Sequence, residues 1–346
     1  MNATPWANNY LHPSKWEQVF APLSVHDMFF NSAERRGNAA IADFMGRKFS
    51  YAEMAEQVRR FARGLQLQGI GKGDHIGLFL PNVPHYIAAY YGALAAGATV
   101  VNFSPLYTVD ELSHQVADSG TSILVTVSAA ALLPTAIKVL NQSSLKQLIV
   151  GSVAEALPKM KGLAYKLFKR GEIAEVPDDG RITHYARIMA NDGQYAPVPC
   201  NPETDVAQLQ YTGGTTGTPK GAMLTHQNIS ANARQINCID PHSRANRPDS
   251  PAEDRILGVL PFFHVFANAT VLNRTIDNGG EIVMLPRFEA TAALKAVNRT
   301  KVTSMPGVPT MYQALLDNAE LPKTDFSSLR ACISGGAPLA AELKAR

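Results

Sequence analysis

Residues 212–221 read Thr-Gly-Gly-Thr-Thr-Gly-Thr-Pro-Lys-Gly, four glycines and four threonines crowded around one lysine. Glycine lets successive backbone N–H groups turn inward and lets a phosphate oxygen approach the main chain. Threonine hydroxyls add donors, and a lysine ammonium supplies a compact, mobile charge for terminal phosphates. No Asp or Glu occurs from Val206 to Ile239, so nothing in the local sequence repels a polyphosphate. The candidate phosphate ligands are Thr212, Gly213, Gly214, Thr215, Thr216, Gly217, Thr218 and Lys220. Lys220 and Thr216 are also candidates for a catalytic role. The competing reading is a flexible surface hairpin with no chemistry. A Walker loop is excluded, because Lys220 follows proline and precedes glycine.

Two further stretches carry candidates. Leu257–Phe266 (LGVLPFFHVF) ends a strand in proline and aromatics, and strand ends are where α/β sheets place ligands. His264 in it reads either as a site residue or as a packed histidine. Ser334–Leu339 (SGGAPL) follows a strand, and its small residues suit a tight turn into a helix or a close approach to a flat ligand.

The elements that must position these residues alternate. Val206–Tyr211 has strand character, with Val206, Gln208 and Gln210 alternating against Ala207, Leu209 and Tyr211. Ala222–Leu224 reads as a second strand, and Thr225 as the N-cap of the helix after it. Upstream, Ser24–Arg35 is a helix, Ile41–Phe44 and Arg47–Ser50 a hairpin, and Ser50-Tyr51-Ala52-Glu53 a capping box opening another helix. Strands are then expected at 75–80, 99–102, 122–126 and 147–150, separated by helices. Gly69–Asp74 does not qualify as a dinucleotide fingerprint, since helix, turn and strand occur there in the wrong order. Residues 178–202 read as a linker, and β and α elements alternate again from 255 onward. The pattern implies an α/β fold with a mainly parallel sheet in each of two lobes.

In order and length, the three stretches resemble the signatures of the adenylate-forming superfamily, which includes acyl-CoA synthetases, luciferases and the adenylation domains of peptide synthetases. The family loop usually reads Y-T-S-G-T-T-G-x-P-K-G, and Gly213 stands where serine is common, a variant associated with fatty acyl-CoA ligases. P-x-F-H precedes a helix in the family, as at Pro261–His264, and S-G-G-A-P matches Ser334–Pro338. Asn102–Thr108 resembles the family's N-P-x-Y-T turn, with a longer start.

The resemblance implies two stacked sheet-and-helix subdomains of an N-terminal domain, ending before the C-terminal domain. The expected division is an arm at 1–22, a first subdomain at 23–200 and a phosphate-loop-bearing subdomain at 201–346. It also implies roles. The loop and Lys220 would hold the β- and γ-phosphates of ATP, and Gly335, Gly336, Ala337 and Pro338 would border the adenine. His264 would lie beside the reacting carboxylate.

The reaction implied is that of an acid–thiol ligase: a fatty acid, Mg²⁺·ATP and coenzyme A give acyl-CoA, AMP and pyrophosphate. Segment 256–276 has no acidic residue to pair with an α-ammonium group, which favours an apolar acid over an amino acid. Two alternatives stand beside this: an aryl-acid ligase of the coumarate or luciferin-like type, and a catalytically incomplete nucleotide- or lipid-binding fragment. The family's Mg²⁺-binding glutamate, ribose-binding aspartate and adenylation lysine are expected beyond Arg346. The 346-residue chain is therefore expected to be inactive by itself, and none of its residues is assigned to metal. Relatives are often dimers, although no seam is visible in the sequence.

Composition bounds the rest. With 46% hydrophobic and 18% charged residues the chain can build sizeable cores, and a net charge of +3 does not imply nucleic acid. Cys200, Cys238 and Cys332 are spaced for neither a disulfide framework nor zinc, which fits a cytoplasmic setting. Residues 1–16 lack the pattern of a signal peptide, and no stretch reaches the ~20 apolar residues of a membrane span.

Segment 158–171 departs from its surroundings. Met160, Leu163, Ala164, Leu167 and Phe168 follow helical spacing, interleaved with Lys159, Lys161, Lys166, Lys169 and Arg170 and no acid. Such a helix either lies on anionic lipid, making the protein peripheral to the membrane, or packs its apolar face on the protein and turns its lysines to water.

Overall fold

The computed structural model describes residues 10, 14–212, 219–249 and 254–346. Thirteen strands among these form two sheets. In chain order they are β1 Ala40–Phe44, β2 Arg47–Ser50, β3 His75–Leu78, β4 Thr99–Asn102, β5 Ile123–Val127, β6 Gln147–Gly151 and β7 Ile182–His184. They continue with β8 Val206–Thr212, β9 Lys220–Thr225, β10 Arg255–Gly258, β11 Glu281–Met284, β12 Ser304–Gly307 and β13 Ala331–Ser334. One sheet runs β7-β6-β5-β3-β4-β8-β9 and the other β13-β12-β10-β11-β1-β2. All neighbours are parallel except the hairpins β8–β9 and β1–β2, as expected when crossover helices join successive strands.

The division at residue 200 does not follow the sheets. Hairpin β8–β9, which frames the threonine-rich turn, belongs with β3–β7, while hairpin β1–β2 belongs with β10–β13. Local periodicity identifies a strand without naming its neighbour. β1 pairs with β11 in register Ala42↔Ile282, and the buried Asp43 carboxylate accepts two bonds from Arg299, at 2.6 and 2.7 Å. Segment 178–202 also departs from the linker reading, since it contributes edge strand β7 and the short helix Tyr185–Ile188, both packed on the first sheet.

Helices form where the apolar spacing and caps require them. Ser24 caps Val25–Arg36 by accepting from the Asp27 N–H, and Ser50 caps Tyr51–Gln66 through Glu53 N–H, each at 3.0 Å. On Tyr51–Gln66, Met54, Val58, Phe61 and Leu65 are buried. Each such side chain stabilises the fold by roughly 1.5–3 kcal/mol. Helix Pro84–Ala95 is buried along its whole length, and its tyrosines bond both to the first sheet and to the segments that follow β10. Proline starts it without loss, because the first N–H groups of a helix have no partner within it.

Helix Lys159–Phe168 is the inverse case. Its Gly162 is buried, while Met160, Leu163, Leu167 and Phe168 are exposed. The apolar face does not pack on the protein.

Candidate active site

The three candidate segments meet at the C-terminal ends of the parallel strands. Thr212 and Lys220 are register partners at the end of hairpin β8–β9, so the two feet of the turn stand side by side, both exposed. Residues 213–218, including Gly213, Gly214, Thr215, Thr216, Gly217 and Thr218, lie outside the described residues. Tyr211 fixes the hairpin from behind, donating to Asp118 Oδ2 at 2.5 Å, and its buried ring stacks on Phe103.

A chain of side-chain amides ties this hairpin to the histidine segment. Tyr90 Oη donates to Gln208 Oε1 at 3.0 Å, and Gln208 Nε2 donates to Gln210 Oε1 at 2.8 Å. Gln210 Nε2 then donates to the Phe263 carbonyl at 3.0 Å, one residue before His264. All three side chains in the chain are buried. Such a satisfied network holds its members in one arrangement, because any break leaves a buried polar group unpaired.

The histidine segment is held from a second side as well. Asn82, buried just before helix Pro84–Ala95, donates to the carbonyls of Gly258 at 3.1 Å and Leu260 at 2.8 Å. It accepts from Phe262 N–H at 2.9 Å. Tyr86 donates to the Phe262 carbonyl at 3.1 Å and to Asn102 Oδ1 at 2.7 Å. His264 itself is exposed and caps the next helix, its Nδ1 accepting from Phe266 N–H at 3.3 Å. An acceptor role for Nδ1 leaves Nε2 as the ring position free to face a ligand. The helix then widens into a π segment over Asn268–Asn273, a form enriched at functional sites. The residues flanking His264 in the chain, Phe262, Phe263, Val265 and Phe266, are all uncharged.

The third segment closes on the second. A Cβ on Gly335 would stand 2.7 Å from Phe266 Cζ, so the backbone there lies directly against the outer end of that ring. Gly335 N–H donates to the Gly307 carbonyl at 3.1 Å, and Gly336 takes φ +76°, the left-handed region that glycine favours. The Ser334 hydroxyl is buried without a protein partner at this turn, a polar group suited to a ligand. Ala337 and Pro338 continue the turn at the surface. Gly335 and His264 are thus joined through Phe266, and His264 and Thr212 through Phe263 and Gln210. Gln210 and Asn82 escaped the sequence reading; their one signal was a polar residue in an otherwise strand-like or apolar stretch.

Among the described residues no group of three His, Cys, Asp or Glu side chains stands close enough to hold a metal ion. No described helix is long and apolar enough to cross a membrane.

Comparison with known proteins gives a consistent picture. The family model described as AMP-binding enzyme matches residues 29–346. A long-chain-fatty-acid–CoA ligase of Bacillus subtilis is 35% identical over 345 residues, covering 98% of this chain and 60% of that protein. A solved long-chain-fatty-acid–CoA ligase from Archaeoglobus fulgidus superposes with a TM-score of 0.75 at 25% identity, covering 94% of this chain and 60% of that one. An anthranilate–CoA ligase solved with anthranoyl-AMP superposes with a TM-score of 0.79 at 20% identity, covering 95% and 58%. The chain thus spans about 60% of the length of the relatives it matches. Their shared fold is the two-sheet α/β architecture described above.

Proposed function

The chain belongs to the AMP-binding enzyme family, and on that premise we propose that it carries the acid-activating site of a fatty acid–CoA ligase. The fatty acid carboxylate attacks the α-phosphorus of ATP, forming the acyl–AMP anhydride as the bond to pyrophosphate breaks. The coenzyme A thiolate then attacks the acyl carbon and expels AMP. The observation that carries this reading is the convergence of the three segments through Gln210–Phe263 and Phe266–Gly335.

In this reading Lys220, with Thr212 and the threonines and glycines of 213–218, holds the phosphates that leave. Gly335, Gly336, Ala337 and Pro338 border the adenine, with the unpaired Ser334 hydroxyl beside them. His264 Nε2 faces the acyl carboxylate. These residues act by positioning and by stabilising charge on the departing pyrophosphate. Mg²⁺ belongs to the proposal as the partner of the ATP phosphates, where it would neutralise charge as they separate.

The apolar residues flanking His264 and the absence of acid from 256 to 276 favour an aliphatic acid, for which an ammonium-binding partner is not needed. The 35% identity to a long-chain ligase supports the same choice. An aryl acid is the second reading, favoured by the similarity of fold to the anthranilate ligase. Comparing palmitate with coumarate as substrate separates the two. A cytoplasmic setting, peripheral contact with a membrane that dissolves such acids, and homodimerisation complete the proposal.

The test is Lys220→Ala in a polypeptide spanning the full length of the relatives. Loss of one preorganised charge at the leaving group lowers acyl-AMP formation about a hundredfold or more. An unchanged rate and ATP dependence refutes the assignment. The 346-residue chain alone is expected to bind an acyl-adenylate analogue without turning over substrate.

A further inference from the structure

Helix Lys159–Phe168 turns its apolar stripe away from the protein. Met160 is 78% exposed, Leu163 56%, Leu167 50% and Phe168 83%. At 3.6 residues per turn these share one side of the helix, and Gly162 lies on the other. The attachment is at Gly162, where a Cβ would come within 2.5 Å of the Ala154 carbonyl oxygen. Tyr165, half-buried, also packs against the main core. A surface helix ordinarily does the reverse, burying its stripe and hydrating its charges.

Charge runs along the flanks of the stripe. Lys159, Lys161 and Lys166 are exposed, and from 158 to 171 there is no acid. Of the neighbouring acids, Glu172 is paired with Lys169 at 2.8 Å, and Glu155 is exposed one turn upstream. Lys161 also donates to the Met45 carbonyl at 2.8 Å, which ties the helix to the tip of hairpin β1–β2, where Met45 is 37% exposed.

We propose that this helix docks the protein onto the surface of an anionic phospholipid bilayer, with Met160, Leu163, Leu167 and Phe168 entering the headgroup–acyl boundary and the flanking lysines pairing with lipid phosphates. The length of ten residues and the flanking charge fit a helix that lies in the interface and does not span it. The stripe needs apolar contact and the lysines need anions; an anionic membrane surface offers both at once, as water does not. The biological purpose rests on the fatty acid reading, since such a substrate concentrates in membranes, but the geometry does not.

The experiment is sedimentation of the purified chain with vesicles of phosphatidylglycerol and phosphatidylcholine, and with vesicles of phosphatidylcholine alone. Retention on the anionic vesicles at low salt, released as salt rises, is the expected result. Lys159→Glu, Lys161→Glu and Lys166→Glu together should weaken binding about a hundredfold. Phe168→Trp should show a blue-shifted emission with anionic vesicles beyond that of the parent chain. Circular dichroism and binding of an acyl-adenylate analogue are measured on the same variants. Both should be unchanged, so a failure of the ligase reading shows separately from a failure of docking. Absent retention, or equal retention on neutral vesicles, overturns the proposal. So does a concentration-dependent dimer that Phe168→Ser dissolves, because the stripe would then serve a second copy of this chain.

Discussion

Helices Pro84–Ala95 and Lys159–Phe168 are both apolar enough to seek burial, yet the first is buried at every residue and the second only at Gly162. The first meets protein on all sides, and its polar atoms had to be answered there. Tyr86, Tyr90 and Tyr91 send their hydroxyls to Asn102 and Phe262, to Gln208, and to Asn273. The second answers its polar atoms with water and leaves its apolar ones unanswered. Burial of an apolar residue is therefore decided less by the residue than by whether neighbours exist to satisfy what is buried with it. In the first helix that requirement fastens the first sheet to the segments that follow β10, which carry His264. In the second it leaves a surface with affinity to spare.

The largest test of this contrast is Asn82→Ala, at the entrance to the buried helix. Two carbonyls and one N–H on 258–262 lose their partner, in a place water does not reach. The expected loss is about 3 kcal/mol of unfolding free energy, read as a lower urea midpoint with unchanged slope. A loss below about 0.5 kcal/mol, the range of ordinary surface changes, would mean that the histidine segment holds itself and the Asn82 contacts are incidental.

A sharper test uses proton linkage. His85, inside the buried helix, is held neutral mainly by burial and secondarily by the charge of Arg47, with its pKa lowered from 6.5 to about 4. His226, buried where its Nδ1 accepts from Val25 N–H, is lowered to about 4 by burial and by His26. A group whose folded pKa is depressed below its unfolded value is a proton acceptor only on unfolding at intermediate pH. For a histidine its stabilising effect is complete above 6.5 and declines as pH falls from there toward 4. Stability should therefore fall across that window, and His85→Phe should make the fall shallower while leaving the His226 contribution. Identical slopes for the two proteins would show that His85 is reached by water.

Much of this was readable beforehand, and what was not has a common cause. β4 ends where the sequence places it, because turn residues bound its short β-branched run on either side. The caps at Ser50 and Thr225 were legible because capping is a contact over three residues, whereas Ser24, read as the first residue of its helix, is the cap before it. Gln208 and Gln210 were not, since in alternation with Ala207 and Leu209 they look like the wet face of a strand. They are dry because Tyr90 and Phe263 arrive from 118 and 53 residues away. The membership of β1–β2 in the second sheet fails for the same reason. The candidate site was visible as three motifs, and the contacts that bring them together are all of the long-range kind.

The smallest expected effect closes the comparison from the exposed side. Met160→Ser with Leu163→Ser removes two apolar side chains that are 78% and 56% exposed and whose loss opens no cavity. Substitutions on such a surface stay within about 0.5 kcal/mol, so the urea midpoint should not move. The corresponding change on the buried helix, Leu94→Ser, deletes a side chain 1% exposed, and should cost about 3 kcal/mol or more through lost packing and an unpaired hydroxyl. The pair of measurements turns on one point. If the Met160/Leu163 variant is destabilised like the Leu94 variant, the stripe already has a protein partner in solution and is not free for a membrane. If it is as stable as the parent chain and loses only vesicle binding, the stripe contributes nothing to folding and its apolar character is kept for what lies outside the molecule.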